Sequence, residues 1–184
     1  MSKPLSEMTL EELWQLFPII LTAPNPAWPL WYQEEAARLE ALLPQVKLHH
    51  IGSTAVRGIW AKPIIDILAL AEDEADFAAL TQRICDAGYI CMSRAENRVS
   101  FNKGYTPEGF AERVFHLHLR RKGDADELYF RDYLNARPDA AKAYEALKLS
   151  LWKPFEHDRD GYTAAKTDFI ALHTQKAKQE QHGR

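Results

Sequence analysis

The sequence predicts a single α+β domain, and three observations carry that expectation. β-branched and alternating runs cluster between residues 46 and 119. Amphipathic segments with helix-start signals precede and follow that cluster. Strands and helices do not alternate in the regular way that an array of βαβ units requires. The length of 184 residues fits one domain. Neither an internal repeat nor a Gly/Ser-rich linker divides the chain.

Each element has a local reason. Thr9-Leu10-Glu11-Glu12 is a capping box ahead of the run Leu13, Trp14, Leu16, Phe17. Pro24 to Pro29 form a turn. A helix is expected from about Trp28 to Leu43, with Ala36, Leu39, Leu42 and Leu43 on one stripe. Val46 to Ile51 reads as a strand, and Ile64 to Leu70 as a central one, because a β-branched run follows Pro63. Asp73 to Ala87 is expected as a helix closed by Gly88. Tyr89–Met92 and Val99–Asn102 are short strand candidates, and Arg113–Leu119 alternates cleanly. From Asp124 onward the pattern is helical, with starts after Pro138 and after Asp158. The polar tail 175–184 is expected to fray.

Composition excludes several classes. There are 23 Lys+Arg against 26 Asp+Glu, net −3. Overall charge therefore does not drive the chain onto nucleic acid or acidic lipid, and no nucleic-acid partner is expected. No apolar run approaches the ~18 residues of a membrane span. The segment MSKPLSEMTLEEL lacks the apolar core of a signal peptide. Cys85 and Cys91 form no CxxC pair and are expected as small core hydrophobes, which makes a reducing, cytoplasmic location the expectation.

The densest chemical signal runs from His49 to Ile67. A strand ends in Gly52-Ser53-Thr54, where a bare glycine lets a ligand approach and a helix start offers free N–H groups to an anion. Arg57 and Lys62 add positive charge. A capped turn with solvated charges has the same appearance. Asp66 is harder to read as inert. It lies between Ile65 and Ile67, and a buried lone carboxylate costs several kcal/mol unless a cation, metal or donor meets it. In Val114-Phe115-His116-Leu117-His118-Leu119 the two histidines share one strand face and the apolar residues the other. Such a pair suits a metal or a phosphate, and equally an idle exposed face. Arg98, Ser100 and Asn102 likewise share a face that could hold an anion. Trp60 is the tryptophan placed to stack on a base.

The run His50-Ile51-Gly52-Ser53-Thr54, then Gly58, then Lys62-Pro63-Ile64-Ile65-Asp66-Ile67 resembles the GrpB family of bacterial proteins. Phe115-His116-Leu117-His118 is similar to that family's histidine strand. Phe130 to Leu134, Tyr144, Leu147, Lys148 and Tyr162 to Thr167 are similar to its late helices. The likeness spans roughly residues 20–172. It implies a nucleotidyltransferase-like fold, a mixed β-sheet flanked by helices. It also implies a phosphate-holding Gly-Ser turn at Gly52 and Ser53, with Asp66 as the first, catalytic metal-binding acid. At the second acid position stands Leu68, and at the third stand His116 and His118. One Asp with two His is a donor set for a single ion (Mg or Mn in the superfamily, with Zn suited to the nitrogens) rather than for paired Mg. In this context Arg131 or Lys148 is expected at the pocket rim, and Lys166 is a further candidate. The family also occurs fused to dephospho-CoA kinase. No GxxxxGK[ST] phosphate loop occurs in this chain, so that kinase activity does not transfer.

The expected site is therefore Gly52, Ser53, Thr54, Arg57, Lys62, Arg98 and Arg131 for phosphate, with Asp66, His116 and His118 for a divalent metal. The expected partner is a nucleotide or another small phosphorylated molecule. Two rival readings are an anion-binding module whose transferase centre has decayed at Leu68, and a protein-interaction domain using Trp14, Leu16 and Phe17. A single-metal hydrolase is a fourth possibility.

Overall fold

A computed structural model describes residues 2–182. Its chain order is α1 (Leu10–Leu16), α2 (Trp28–Leu42), β1 (Val46–Ile51), β2 (Ile64–Ala71), α3 (Phe77–Asp86), β3 (Ile90–Ala95), β4 (Arg98–Thr106), β5 (Gly109–Arg121), α4 (Asp126–Ala136), α5 (Pro138–Trp152), α6 (Arg159–Ala164) and α7 (Thr167–His182). The five strands form one sheet in the order β1-β2-β5-β4-β3. β2 and β5 are parallel, and the other three pairings are antiparallel. This is the α+β arrangement expected, a mixed sheet flanked by helices. No helix among the described residues is long and apolar enough to cross a membrane.

The sheet has two unlike faces. Ile65, Ile67, Phe101, Phe115, Leu117 and Leu119, all 5% exposed or less, pack with Leu39, Leu80 and Ile84 beneath α2 and α3. Cys85 and Cys91 are half-buried against this core. The other face carries Asp66, His116 and His118. It is roofed by α4 to α7, which hold together through two smaller clusters, one around Leu134 and Tyr144 and one around Ile19, Leu21 and Tyr162. Strand alternation sorts each side chain to its face, so one polar residue in an apolar strand becomes one polar point on the roofed side.

Several boundaries differ from expectation, each for a local reason. α3 begins at Phe77 rather than Asp73, because the Asp76 carboxylate accepts the Ala78 and Ala79 N–H groups at 2.9 and 3.1 Å and caps the helix there. Leu42 is 42% exposed and leaves the buried stripe to Ala36, Leu39 and Leu43. β3, β4 and β5 are longer than the expected segments, since pairing satisfies backbone groups beyond the apolar residues. The tail does not fray at 175. α7 runs to His182, with Thr174 and Ala177 buried and Glu180 paired to Arg137. The Thr9–Glu12 capping box forms as expected. Phe17, placed by sequence in an interaction patch, packs its ring on Tyr105 and Phe110, with centroids 4.7 and 5.0 Å away.

Candidate active site

β1 turns sharply into the 3-10 segment Ser53–Ala55 through Gly52, at φ +71°. A Cβ on Gly52 would strike the Asp66 carboxylate, and the left-handed φ disfavours any side chain. The glycine is therefore explained by the acid beside it. Asp66 enters from the facing position of β2, opposite Ile51 and alongside His116. One carboxylate oxygen of Asp66, Oδ1, lies 3.3 Å from His116 Nδ1 and 3.6 Å from His118 Nε2. The three side chains offer ligand atoms that all lie within 4.8 Å of one another, so they could hold one metal ion. Burial raises the Asp66 carboxyl pKa. The hydrogen bonds and charges of the two histidines outweigh it and hold the acid well below the usual carboxylate range. Burial pushes His116 the other way, down from the ordinary imidazole value.

The remaining nitrogens of the histidines are also met. His116 Nε2 is 2.8 Å from the Tyr105 hydroxyl, and His118 Nδ1 is 3.4 Å from Ser100 Oγ. Leu68, two residues after Asp66 on β2, is fully buried.

These residues form the floor of a cavity of about 790 Å³ between the sheet and the C-terminal helices. The same cavity is lined by Lys62, Lys148 from α5, Arg159 from α6 and Lys166. None of these four cations forms an ion pair among the described residues. Lys62 and Lys166 lie over the Tyr162 ring, at 5.5 and 4.1 Å from its centre. Lys148, 2% exposed, donates to the Trp60 carbonyl. Burial pushes the ammonium pKa down to about 8 at Lys62 and about 7 at Lys148 and Lys166, and the neighbouring cations push the same way. Tyr162 is 1% exposed and its hydroxyl has no partner. Burial pushes Tyr144, whose hydroxyl lies beside Ser53, up to about 12. Phe130, Tyr144 and Ile170 supply an apolar wall.

Of the ten site residues expected from sequence, six line this cavity: Gly52, Ser53, Lys62, Asp66, His116 and His118. The other four do not. The Thr54 hydroxyl is buried, donates to the Ile64 carbonyl at 3.2 Å and lies 3.0 Å from His50 Nε2, so it braces the turn. Arg57 is exposed, and its backbone N–H donates to Asn135. Arg98 shares the cavity face of the sheet but sits at its far end, in a two-pronged pair with Asp124 at 2.7 Å. Arg131 donates to the His50 carbonyl at 2.8 Å and pairs with Asp132, tying α4 to β1. Trp60 also lies outside the lining. Lys148 and Lys166, candidates on the late helices, do line it. Arg159, Tyr105 and Tyr162 carried no sequence signal as site residues: Arg159 and Tyr162 are far in sequence from the motif they join, and Tyr105 reaches His116 through a register shift.

With this geometry in view, the relatives are informative. The sequence profile of the family described as GrpB protein matches residues 18–176. The UPF0157 protein PA4798 of Pseudomonas aeruginosa is 38% identical over 152 residues, which cover 80% of this chain and 62% of that one. The glutamate-rich protein GrpB of Alkalihalophilus pseudofirmus is 35% identical over 160 residues, 83% of this chain and 91% of that one. The crystal structure of the conserved protein GrpB from Enterococcus faecalis superposes at a TM-score of 0.76 with 30% identity, covering 88% of this chain and 99% of that one. The RNA terminal uridylyl transferase Cid1 aligns at a TM-score of 0.45 and 11% identity, over 76% of this chain and 43% of that one. With its profile spanning the sheet, the cavity and all seven side chains of floor and cationic wall, the chain belongs to the GrpB family.

Proposed function

We propose that the cavity binds a phosphorylated small molecule, a nucleotide in the leading reading, and serves metal-dependent nucleotidyl transfer. One observation carries this: Lys62, Lys148, Arg159 and Lys166 line the same cavity as Asp66, His116 and His118, and among the described residues no carboxylate pairs with any of the four. Buried positive charge without a counter-ion is costly, so the wall is built for an anion that arrives with the ligand. The Tyr162 hydroxyl, buried without a hydrogen-bond partner, adds an O–H donor. A phosphate chain supplies acceptors and charge together.

The donor set fits a divalent ion. Asp66 supplies a carboxylate oxygen, and His116 and His118 supply nitrogens that suit Zn, Mn, Fe or Ni better than a pair of Mg ions. A metal held there would polarise a phosphoryl oxygen as a Lewis acid. The chain's own residues do the rest. Lys62, Lys166 and Arg159 neutralise phosphate oxygens, Ser53 and Tyr162 offer hydroxyls, and Phe130 and Tyr144 take the apolar part of the ligand. The second reading, an anion-binding module without turnover, is favoured by Leu68, which leaves the site one acid short of a two-metal set.

A thermal-shift panel of nucleoside triphosphates with Mn, Zn or no metal tests binding. Ligand at a hundredfold its Kd stabilises by about 2.7 kcal/mol, a rise of roughly 5–10 °C for a domain of this size. Lys62→Ala/Lys166→Ala should remove the nucleotide shift and Asp66→Ala the metal dependence. An unchanged nucleotide shift in the double variant sinks the reading. Product analysis of the nucleotide that shifts the melt then separates transfer from mere binding.

A further inference from the structure

We propose that Tyr105 is a positioning residue for the metal site: it makes His116 bind through Nδ1, while His118, backed by Ser100, binds through Nε2. The proposal rests on the metal reading of the triad above and deepens it.

The argument starts from the spacing. His116 and His118 are two residues apart on β5, so their backbone origins differ by two strand rises, about 6.6 Å. Both must converge on the same Asp66 oxygen. His116 lies directly beside Asp66 in the parallel register, whereas His118 lies beside Leu68. The near histidine can meet the carboxylate only with its near nitrogen, and the far one must reach with its far nitrogen. The distances show this: Nδ1 of His116 at 3.3 Å and Nε2 of His118 at 3.6 Å.

A histidine that gives one nitrogen to a metal must carry its proton on the other, and a buried N–H needs an acceptor. For His116 that acceptor is the Tyr105 oxygen at 2.8 Å, with the two rings stacked 20° from parallel. For His118 it is Ser100 Oγ at 3.4 Å, a longer contact. A hydroxyl can donate or accept, so Tyr105 also tolerates the metal-free form, in which the Nδ1–H of His116 points at Asp66.

The fold takes a specific step to put Tyr105 there. On β4, Phe101 and Lys103 pair with Leu117 and Phe115, and Arg98, Ser100 and Asn102 with Arg120, His118 and His116. Strict alternation would send Tyr105 to the side of Lys103. The register shifts between Lys103 and Tyr105, at Gly104 with φ +91°, and turns the phenol onto the histidine side. A Cβ on Gly104 would meet the Arg113 carbonyl and come within 3.1 Å of Val114 Cα, so the shift requires glycine. Phe17 and Phe110 then clamp the ring.

The test titrates purified wild type, Tyr105→Phe, Phe17→Ala and Asp66→Ala with Zn and with Co, whose visible absorption reports its ligands. Tyr105→Phe should stay folded, with a lower metal-free melt for the lost partner of His116, and should bind 10- to 100-fold more weakly. Phe17→Ala, which loosens the clamp but keeps the hydroxyl, should lose less affinity. In Zn-loaded protein labelled with 15N at the imidazoles, one histidine should ligate through Nδ1 and one through Nε2. Wild-type affinity in Tyr105→Phe, or both histidines ligating through Nε2, overturns the proposal while leaving the metal site standing. If wild type binds neither metal, or Asp66→Ala binds as tightly as wild type, the metal reading and the proposal fall together.

Discussion

The two faces of the same five-stranded sheet obey opposite rules. Beneath α2 and α3 the side chains of β2 and β5 are apolar and dry: Ile65, Ile67, Leu117 and Leu119 are 0% exposed. One residue over on the same strands, Asp66, His116 and His118 face a cavity of about 790 Å³ whose lining includes Lys62, Lys148, Arg159 and Lys166. The first face releases free energy on folding by removing apolar surface from water. The second holds like charges together and an acid against two imidazoles, arrangements that favour a ligand over the empty fold. The fold depends on the dry face, and the stress is confined to the cavity.

That contrast can be broken or sharpened by experiment. The largest expected effect is on the dry face. Ile67→Ala should cost about 2–5 kcal/mol of stability, read as a lower urea midpoint. Losing no more than a surface change would mean the core lies elsewhere. Next is Gly52→Ala, at the junction of the two faces. Gly52 sits at φ +71° and ψ −172°, a region kept almost wholly to glycine, so a side chain there costs roughly 1–3 kcal/mol, and the new methyl also presses on Asp66. The melting temperature should fall by a few degrees and metal affinity should fall with it. Full metal affinity in a folded Gly52→Ala protein would detach the glycine from the acid.

The third test is pH. Burial lowers Lys148 and Lys166 to about 7 and Lys62 to about 8. An anion needs the ammonium forms, so affinity for inorganic tripolyphosphate should fall from pH 7 to pH 9.5, by up to roughly tenfold per unit for each lysine that must be reprotonated. Binding should take up protons, seen by calorimetry in buffers of different ionisation heat. For the free protein the sign reverses. Unfolded lysines keep their protons to about 10.4, while folded ones release them near 7–8. The penalty is therefore full below pH 7 and is relieved as pH rises above it. The smallest effect is Lys166→Met. It removes a half-buried charge repelled by Lys62, so stability of the free protein should hold or rise by up to about 1 kcal/mol. Anion affinity should fall at least tenfold in the same variant. A clear loss of stability would show that the cationic wall supports the fold.

The turn and its acid could be read from sequence because they are local. Gly52, Ser53 and Asp66 lie within fifteen residues, and an acid inside an apolar strand is conspicuous in any context. His116 and His118 were readable as a same-face pair because strand alternation is a local rule. Arg57 and Arg98 lie outside the cavity lining, because proximity to a motif, or a shared face, says nothing about which end of the sheet a side chain reaches. Arg159, Tyr105 and Tyr162 were hidden. Arg159 and Tyr162 arrive on a late helix, and Tyr105 through a register shift whose one sequence trace is Gly104.

Local chemistry written in the chain was enough for the α+β class, the position of the central strands, the family and the Asp66, His116 and His118 cluster. Period-two and period-3.6 patterning, caps and turn residues act over a few neighbours and need no knowledge of the rest. Which C-terminal cations join Asp66 in the cavity, and which hydroxyl backs His116, was decided by tertiary structure. Those contacts join residues 80 to 100 positions apart in the first case and depend on a strand slipping register in the second. Long-range packing, not any local propensity, determines both.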